Sequence, residues 1–559
     1  MSFPAEARVA KVGGIVDWLL AATIAIAVVV GTVGIDVHVG DVSLRAHSAI
    51  RVLILSAVIL AIRWRLGIAT FPAWLLRVAL LTAICGSIAT WLRFLLTTIG
   101  GADSYGYVSA SHLIASGRLI DPAPIAEWLS AANRLAIASP LGWAPALDGS
   151  GIVPTYPLGL PFVMALFGGI AGSPAVFFVA PVMALVTLVL VHRLAREWFD
   201  GDVALLAVAV VAWNPVFVAY AKQPMSDVPA SAWLMAAFLL ALQTSPSSGY
   251  FAGLCAGAAV ITRPVLLIAA AIVPLTANRG ASPQRRVFSA VAGLFIGVAI
   301  QMALQMRLFG SPFQTGYGNS GSLFSLAYVP TNWGIFVRHG WATLGMFWVA
   351  ALIIGARITP MELRWRIFTI AVAVISPYLF YLPFDHWETL RFILPALVPL
   401  SIIVAAGVVH VARLAPNPAV TAALIALFVV PLVGRSEGLL RESSTWVIAS
   451  LEARYPLAGD WINVNTPATS VVLANQHSGS LRWYGKRQTL RWDFIAPDQL
   501  MTTVRELESH GATTYVALEG DEVAMFDQRF KDVIGQLQVD HVGSIRNVSF
   551  RRLHLPPKR

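Results

Sequence analysis

Charge is what this sequence has least of. Lys, Arg, Asp and Glu make up only 12% of 559 residues, against 57% hydrophobic. Soluble domains carry about a quarter of their residues charged, so an ordinary soluble protein is excluded. Cysteine is nearly absent as well. Cys85 and Cys255 both lie inside apolar stretches, where cysteine acts as a small hydrophobe, so neither a disulfide framework nor a metal cluster is indicated. Internal repeats and low-complexity runs are missing too. A mean hydropathy of +0.71 makes the chain a polytopic α-helical membrane protein. The formal charge of +10 then reads as basic loops held on the cytoplasmic side, not as a nucleic-acid footprint, and no nucleic-acid partner is expected.

Basic clusters set the topology. Arg8 and Lys11 precede an apolar run too long for the core of a signal peptide, Arg63 and Arg65 follow the second run, and residues 74–97 form a third. That third span delivers GGADSYGYVSASHLIASGRLI, residues 100–120, to the extracytoplasmic face. The loop 100–155 stays outside, and its amphipathic part DPAPIAEWLSAANRLAIA is expected along the membrane surface. TYPLGLPFVMALFGGIAG reads as an interfacial half-helix. Later basic clusters at Arg193 and Arg196, Arg285 and Arg286, Arg364 and Arg366, and Arg413 keep the alternation. About thirteen spans result, leaving residues 436–559 outside. The tail changes composition: TSVVLAN and TTYVALE have strand character and PDQLMTTVRELESHG a helical period, so a small α/β domain is expected. It holds no Gly-rich phosphate loop, nucleophile elbow or metal-ligand spacing. The divisions are therefore 1–73, an N-terminal hairpin; 74–435, the membrane core; and 436–559, the soluble domain.

This topology collects Arg93, Asp103, Lys222, Asp227, Arg263, Asp385, His386, Glu388 and Arg391 at one outer membrane boundary. Ionisable groups at that depth are costly and face protein cavities, so their gathering on one side points to a polar site. Each has a plainer reading. Asp103 and Asp227 both precede helical runs and would serve as helix caps. The arginines would snorkel to lipid headgroups. Tyr105, Tyr107, Tyr156 and Tyr317 would stack on or hydrogen-bond a sugar, or anchor the interface as tyrosines commonly do.

The ordered series ADSYGYVSASHLIASGRL, TYPLGLPFVMALFG, KQPMSDVPA, ITRPVLL, RLFGSPFQTGYG and LRFILPALVPL resembles the bacterial GT-C fold glycosyltransferases, nearest the protein mannosyltransferase and aminoarabinose transferase group. The likeness runs over about residues 74–435, beyond the first two spans. It implies an enzyme of the bacterial cytoplasmic (inner) membrane that takes a sugar from a polyprenyl-phosphate-linked donor and passes it to a lipid, glycan or protein acceptor on the extracytoplasmic side. By resemblance Asp103 is the catalytic acid of the first loop and Asp227 the second acidic position. Ser104 stands where the commonest pattern has another acid, so no cofactor is assigned and divalent-metal dependence stays open. The chemistry asks for a carboxylate to take the acceptor's proton and cations to hold the departing phosphate. Asp103 suits the first task, and Arg263, Arg391 and Lys222 the second. The alternative is a transporter or flippase of lipid-linked sugars using the same charged cavity, which lacks support from any inverted repeat.

Overall fold

A computed structural model describes residues 3–32, 35–39, 42–46, 50–65, 72–245, 247–280 and 282–556. Among these, five helices are long and apolar enough to cross a membrane: Trp74–Arg93, Ser173–Trp198, Pro283–Phe309, Trp387–Arg413 and Pro418–Glu442. Two bent pairs raise the number to seven. Gly201–Ala212 meets Pro215–Ala221 at 66°, and Leu326–Leu344 meets Met346–Ile358 at 98°. The expected thirteen spans also included shorter apolar helices such as Asp227–Leu242 and Ser248–Thr262. Local chemistry explains the breaks. Asn214 caps the helix that Pro215 opens, and Gly345 takes φ +81° between the other two helices, a conformation glycine adopts without Cβ strain.

The helix Leu394–Arg413 runs through the middle of the bundle. It is apolar all round and buried along nearly its whole length, as a central helix must be. Around it, small residues let backbones approach closely. Gly249, Gly253 and Gly257 repeat every four residues on Ser248–Thr262 and meet Ala290, Gly293 and Gly297 of Pro283–Phe309. A Cβ on Gly257 would lie 2.8 Å from the Gly297 Cα, and one on Gly253 would lie 2.0 Å from the Ala290 carbonyl oxygen. Such small-residue seams hold membrane helices together by close packing. The contacts advance in the same direction along both helices, so the two run parallel. Arg263 and the end of Pro283–Phe309 therefore arrive at the same end of the bundle. The other faces of Pro283–Phe309 expose Phe288 and Phe295.

Beyond the bundle, five strands form one sheet in the order Gln538–Ile545, Val548–His554, Thr514–Glu519, Val471–Ala474, Gln488–Leu490. The first two junctions are antiparallel and the last two parallel. Val471–Ala474 is buried throughout, as expected of a central parallel strand. The amphipathic part of the first loop departs from the sequence reading. It does not lie free along a membrane surface but packs on this C-terminal unit. Ile125, Ala126, Ile137 and Ala138 are buried, Arg491 N–H donates to the Ile137 carbonyl at 2.6 Å, and Trp128 stacks on His510. Its apolar face found a protein partner, which buries it as well as lipid would.

Candidate active site

Gly101, at φ +58°, turns the chain into the helix Asp103–Ala115. Asp103 occupies the first helical position, and no backbone N–H among the described residues donates to its carboxylate. Instead the carboxylate lies 3.8 Å from the Arg391 guanidinium, with the Tyr156 hydroxyl close enough to feel its charge. The Tyr156 ring can lie there because Gly106 carries no side chain: a Cβ would stand 2.6 Å from the ring. Tyr156 stacks on Tyr107 at 4.9 Å and meets Tyr317 edge-on at 5.9 Å. Tyr107 donates to Ser226 Oγ at 3.0 Å. Burial first, and then the Asp103 carboxylate, push the Tyr156 hydroxyl far above its ordinary range, so it stays protonated beside Asp103.

Arg263 follows the helix Ser248–Thr262 and precedes Pro264, which forces it into an extended backbone, φ −146° and ψ 96°. The side chain leaves the helix there and binds Asp227 at 2.5 Å. This ion pair is buried, with side chains 13% and 4% exposed. Asp227, the first residue of its own helix, thus works as the counter-ion of Arg263 and not as a helix cap. Arg391 lies in the 3-10 segment Trp387–Ile393 that leads into the central helix, with its guanidinium over the rings of Tyr220 and Phe392. Compared with the Asp227 pair, Asp103 and Arg391 are open, at 37% and 27% side-chain exposure.

These groups line one cavity of about 600 Å³. Asp103, Tyr107, Tyr156, Asp227, Arg263, Tyr317 and Arg391 form its walls, together with Thr155, Gln301 and Gln305. A second, apolar groove of about 490 Å³ adjoins it, sharing Pro264, Val265, Leu267 and Phe324. Four residues named from the sequence lie elsewhere. Lys222 is fully buried and donates its ammonium to the Thr445 carbonyl at 2.6 Å, beneath Trp446. That fixes a turn, and burial outside the cavity lining keeps the ammonium from a phosphate bound there. Tyr105 points the other way along its helix, its ring against the C-terminal unit, where a Cβ on Gly479 would lie 2.4 Å from it. His386 and Glu388 pair with each other at 3.6 Å, both largely exposed, outside the cavity wall. Among the described residues no three His, Cys, Asp or Glu side chains form a metal-ligand set. Both cavity carboxylates face arginines.

Sequence reasoning missed Tyr220, Gln301 and Gln305. The glutamines had a signal, being polar residues one turn apart in an otherwise apolar span. Tyr220 had none, since it ends an ordinary apolar run.

A model of the dolichyl-phosphate-mannose-protein mannosyltransferase family matches residues 154–306, a stretch that holds Tyr156, Asp227, Arg263, Gln301 and Gln305. Two crystal structures of ArnT from Cupriavidus metallidurans have a similar fold. The one bound to undecaprenyl phosphate gives a TM-score of 0.52 at 12% identity, and the apo state 0.50 at 11%. Each comparison covers 84% of this chain and 97% of that one. Among curated proteins none matches the sequence. The resemblance to GT-C proteins of the mannosyltransferase and ArnT kind, read first from motif order, is borne out.

Proposed function

We propose that this protein is a membrane glycosyltransferase that takes a sugar from a polyprenyl-phosphate donor and passes it to an extracytoplasmic lipid, glycan or protein acceptor. One observation carries the reading: two carboxylates and two guanidinium groups, from four separate segments, face one cavity that opens onto an apolar groove. A lipid phosphate has the matching shape, an anionic head on a hydrocarbon tail. ArnT, similar in fold, has been crystallised with undecaprenyl phosphate, which supports the same kind of carrier here.

In this reading the isoprenoid lies along Pro264, Leu267, Phe324 and their neighbours, and the phosphate meets Arg391. Guanidinium binds phosphate through two parallel hydrogen bonds and stabilises the charge that grows as the sugar leaves. As Arg391 turns to the phosphate it releases Asp103, which takes the proton of the attacking acceptor hydroxyl while the C1–O bond to phosphate breaks. Tyr156 keeps Asp103 oriented. Asp227 holds Arg263 in place as a second cation behind Arg391. The charge alternation of the loops supports an inner-membrane protein with its cavity and residues 436–559 on the extracytoplasmic side.

The test uses purified full-length protein in lipid nanodiscs with a radiolabelled polyprenyl-phosphate sugar and an envelope-extract acceptor. Acceptor-dependent release of free polyprenyl phosphate is expected. Translocation of the intact lipid-sugar in proteoliposomes, with no release, would identify a flippase and overturn the reading. A C-terminal reporter active only in the cytoplasm would overturn the orientation.

A further inference from the structure

Part of the cavity wall is made by one face of the helix Pro283–Phe309, with Gln301, Leu304, Gln305 and Leu308. Two amides one turn apart in a span this apolar need a partner, since a polar group withheld from water is costly unless hydrogen-bonded. In membrane bundles glutamine usually finds one on a neighbouring helix. Gln301 does not: it is only 8% exposed, and its amide oxygen has no hydrogen-bond partner among the described residues. One turn below Gln301 the Gly257–Gly297 crossing packs the two helix backbones closely. The nearby Arg307 is outside the wall and pairs with Asp148 at 3.2 Å.

We infer that Gln301 and Gln305 form a recognition site for an uncharged, hydroxyl-bearing sugar, a refinement that rests on the glycosyltransferase reading above. A sugar hydroxyl both donates and accepts, and an amide offers an acceptor oxygen beside two donor hydrogens. Neighbouring hydroxyls on a ring therefore satisfy both amides at once, and the orphaned oxygen of Gln301 gains a donor. An amino sugar is disfavoured at the same place. Its ammonium would find no carboxylate free of a cation, because Asp227 is committed to Arg263 and Asp103 stands beside Arg391.

The experiment compares full-length wild type, Gln301→Leu, Gln305→Leu and Gln301→Glu in nanodiscs against three probes: bare polyprenyl phosphate, its mannosyl ester and its 4-amino-4-deoxyarabinosyl ester. Wild type is expected to bind the mannosyl lipid about tenfold more tightly than the bare phosphate, the factor for one or two hydrogen bonds between neutral groups. Each leucine variant should bring that preference close to parity without changing the affinity for bare phosphate, and Gln301→Glu should favour the amino sugar. Should the leucine variants keep the donor preference but raise KM for a sugar acceptor, the amides read the acceptor's hydroxyls. Unchanged donor preference together with unchanged acceptor KM in both leucine variants overturns the inference. If Gln301→Leu fails to fold, the half-buried Gln305 decides through its own variant. Failure of wild type to bind bare polyprenyl phosphate would instead remove the glycosyltransferase reading, and the inference with it.

Discussion

Asp227→Asn and Asp103→Asn remove the same atom from two carboxylates that face the same cavity, yet the structure assigns them opposite consequences. Asp227 and Arg263 are 4% and 13% exposed and meet at 2.5 Å. Neutralising the acid leaves a guanidinium buried without its counter-charge, which costs about 3–5 kcal/mol. Asp103 and Arg391 are 37% and 27% exposed and 3.8 Å apart, so water screens the pair and its loss costs about 0–1 kcal/mol. Thermal unfolding of the purified protein, followed by tryptophan fluorescence, should therefore show Asp227→Asn melting lower by on the order of 5 °C or more, with Asp103→Asn close to wild type. The double variant Asp227→Asn with Arg263→Met removes both charges together and should recover most of the lost Tm while remaining inactive, because replacing a buried pair by apolar groups is often neutral. A wild-type Tm for Asp227→Asn, with turnover abolished, would refute the counter-ion role and return Asp227 to direct chemistry. Equal destabilisation by the two single variants would refute the assignment of Asp103 to an open, reactive position.

Asp103→Asn should lower turnover by about 10²–10⁴-fold, the range for loss of a positioned proton acceptor, while donor binding measured by lipid titration persists; near-normal turnover would show that another group takes the proton. Arg391→Lys keeps the charge but cannot make two parallel hydrogen bonds, so affinity for polyprenyl phosphate should fall about tenfold. Lys222→Met, by contrast, should lower Tm and leave that affinity unchanged, and a loss of lipid affinity there would reinstate Lys222 as a phosphate ligand. In the C-terminal unit, burial tends to raise the Glu519 carboxyl, but His477 at 3.0 Å and Arg454 at 2.8 Å outweigh it and hold it below the ordinary glutamate range. A lowered folded-state value means that stability is fully present above the ordinary value of 4.5 and is lost as pH falls through the lowered one. Glu519→Gln should therefore be less stable at pH 7 and have a flatter acid limb below about pH 4.5 in pH-dependent Tm measurements. An unchanged acid limb would show that the pair contributes nothing.

Composition and hydropathy alone determined that this chain lives in a membrane, because burying so many apolar residues leaves no soluble alternative. The order of Asp103, Asp227, Arg263 and Arg391 between apolar runs was legible for a related reason: charges are scarce in such spans, so the few that occur stand out and mark polar ground. Strand and helix patterns in the tail were readable too, since their periods of two and 3.6 residues are local properties. What faces what was not. Tyr105 and Tyr107 are two residues apart, yet one is wedged against Gly479 and the other lines the cavity, and nothing in the motif distinguishes the two sides of that helix. Lys222 shares its boundary with the arginines by topology, but a turn more than two hundred residues away supplies the carbonyl its buried ammonium binds. The division of labour between two similar aspartates, one sealed against Arg263 and one left open to solvent, was decided only by tertiary packing, because burial and the distance to a partner are set by segments that meet only when the chain folds.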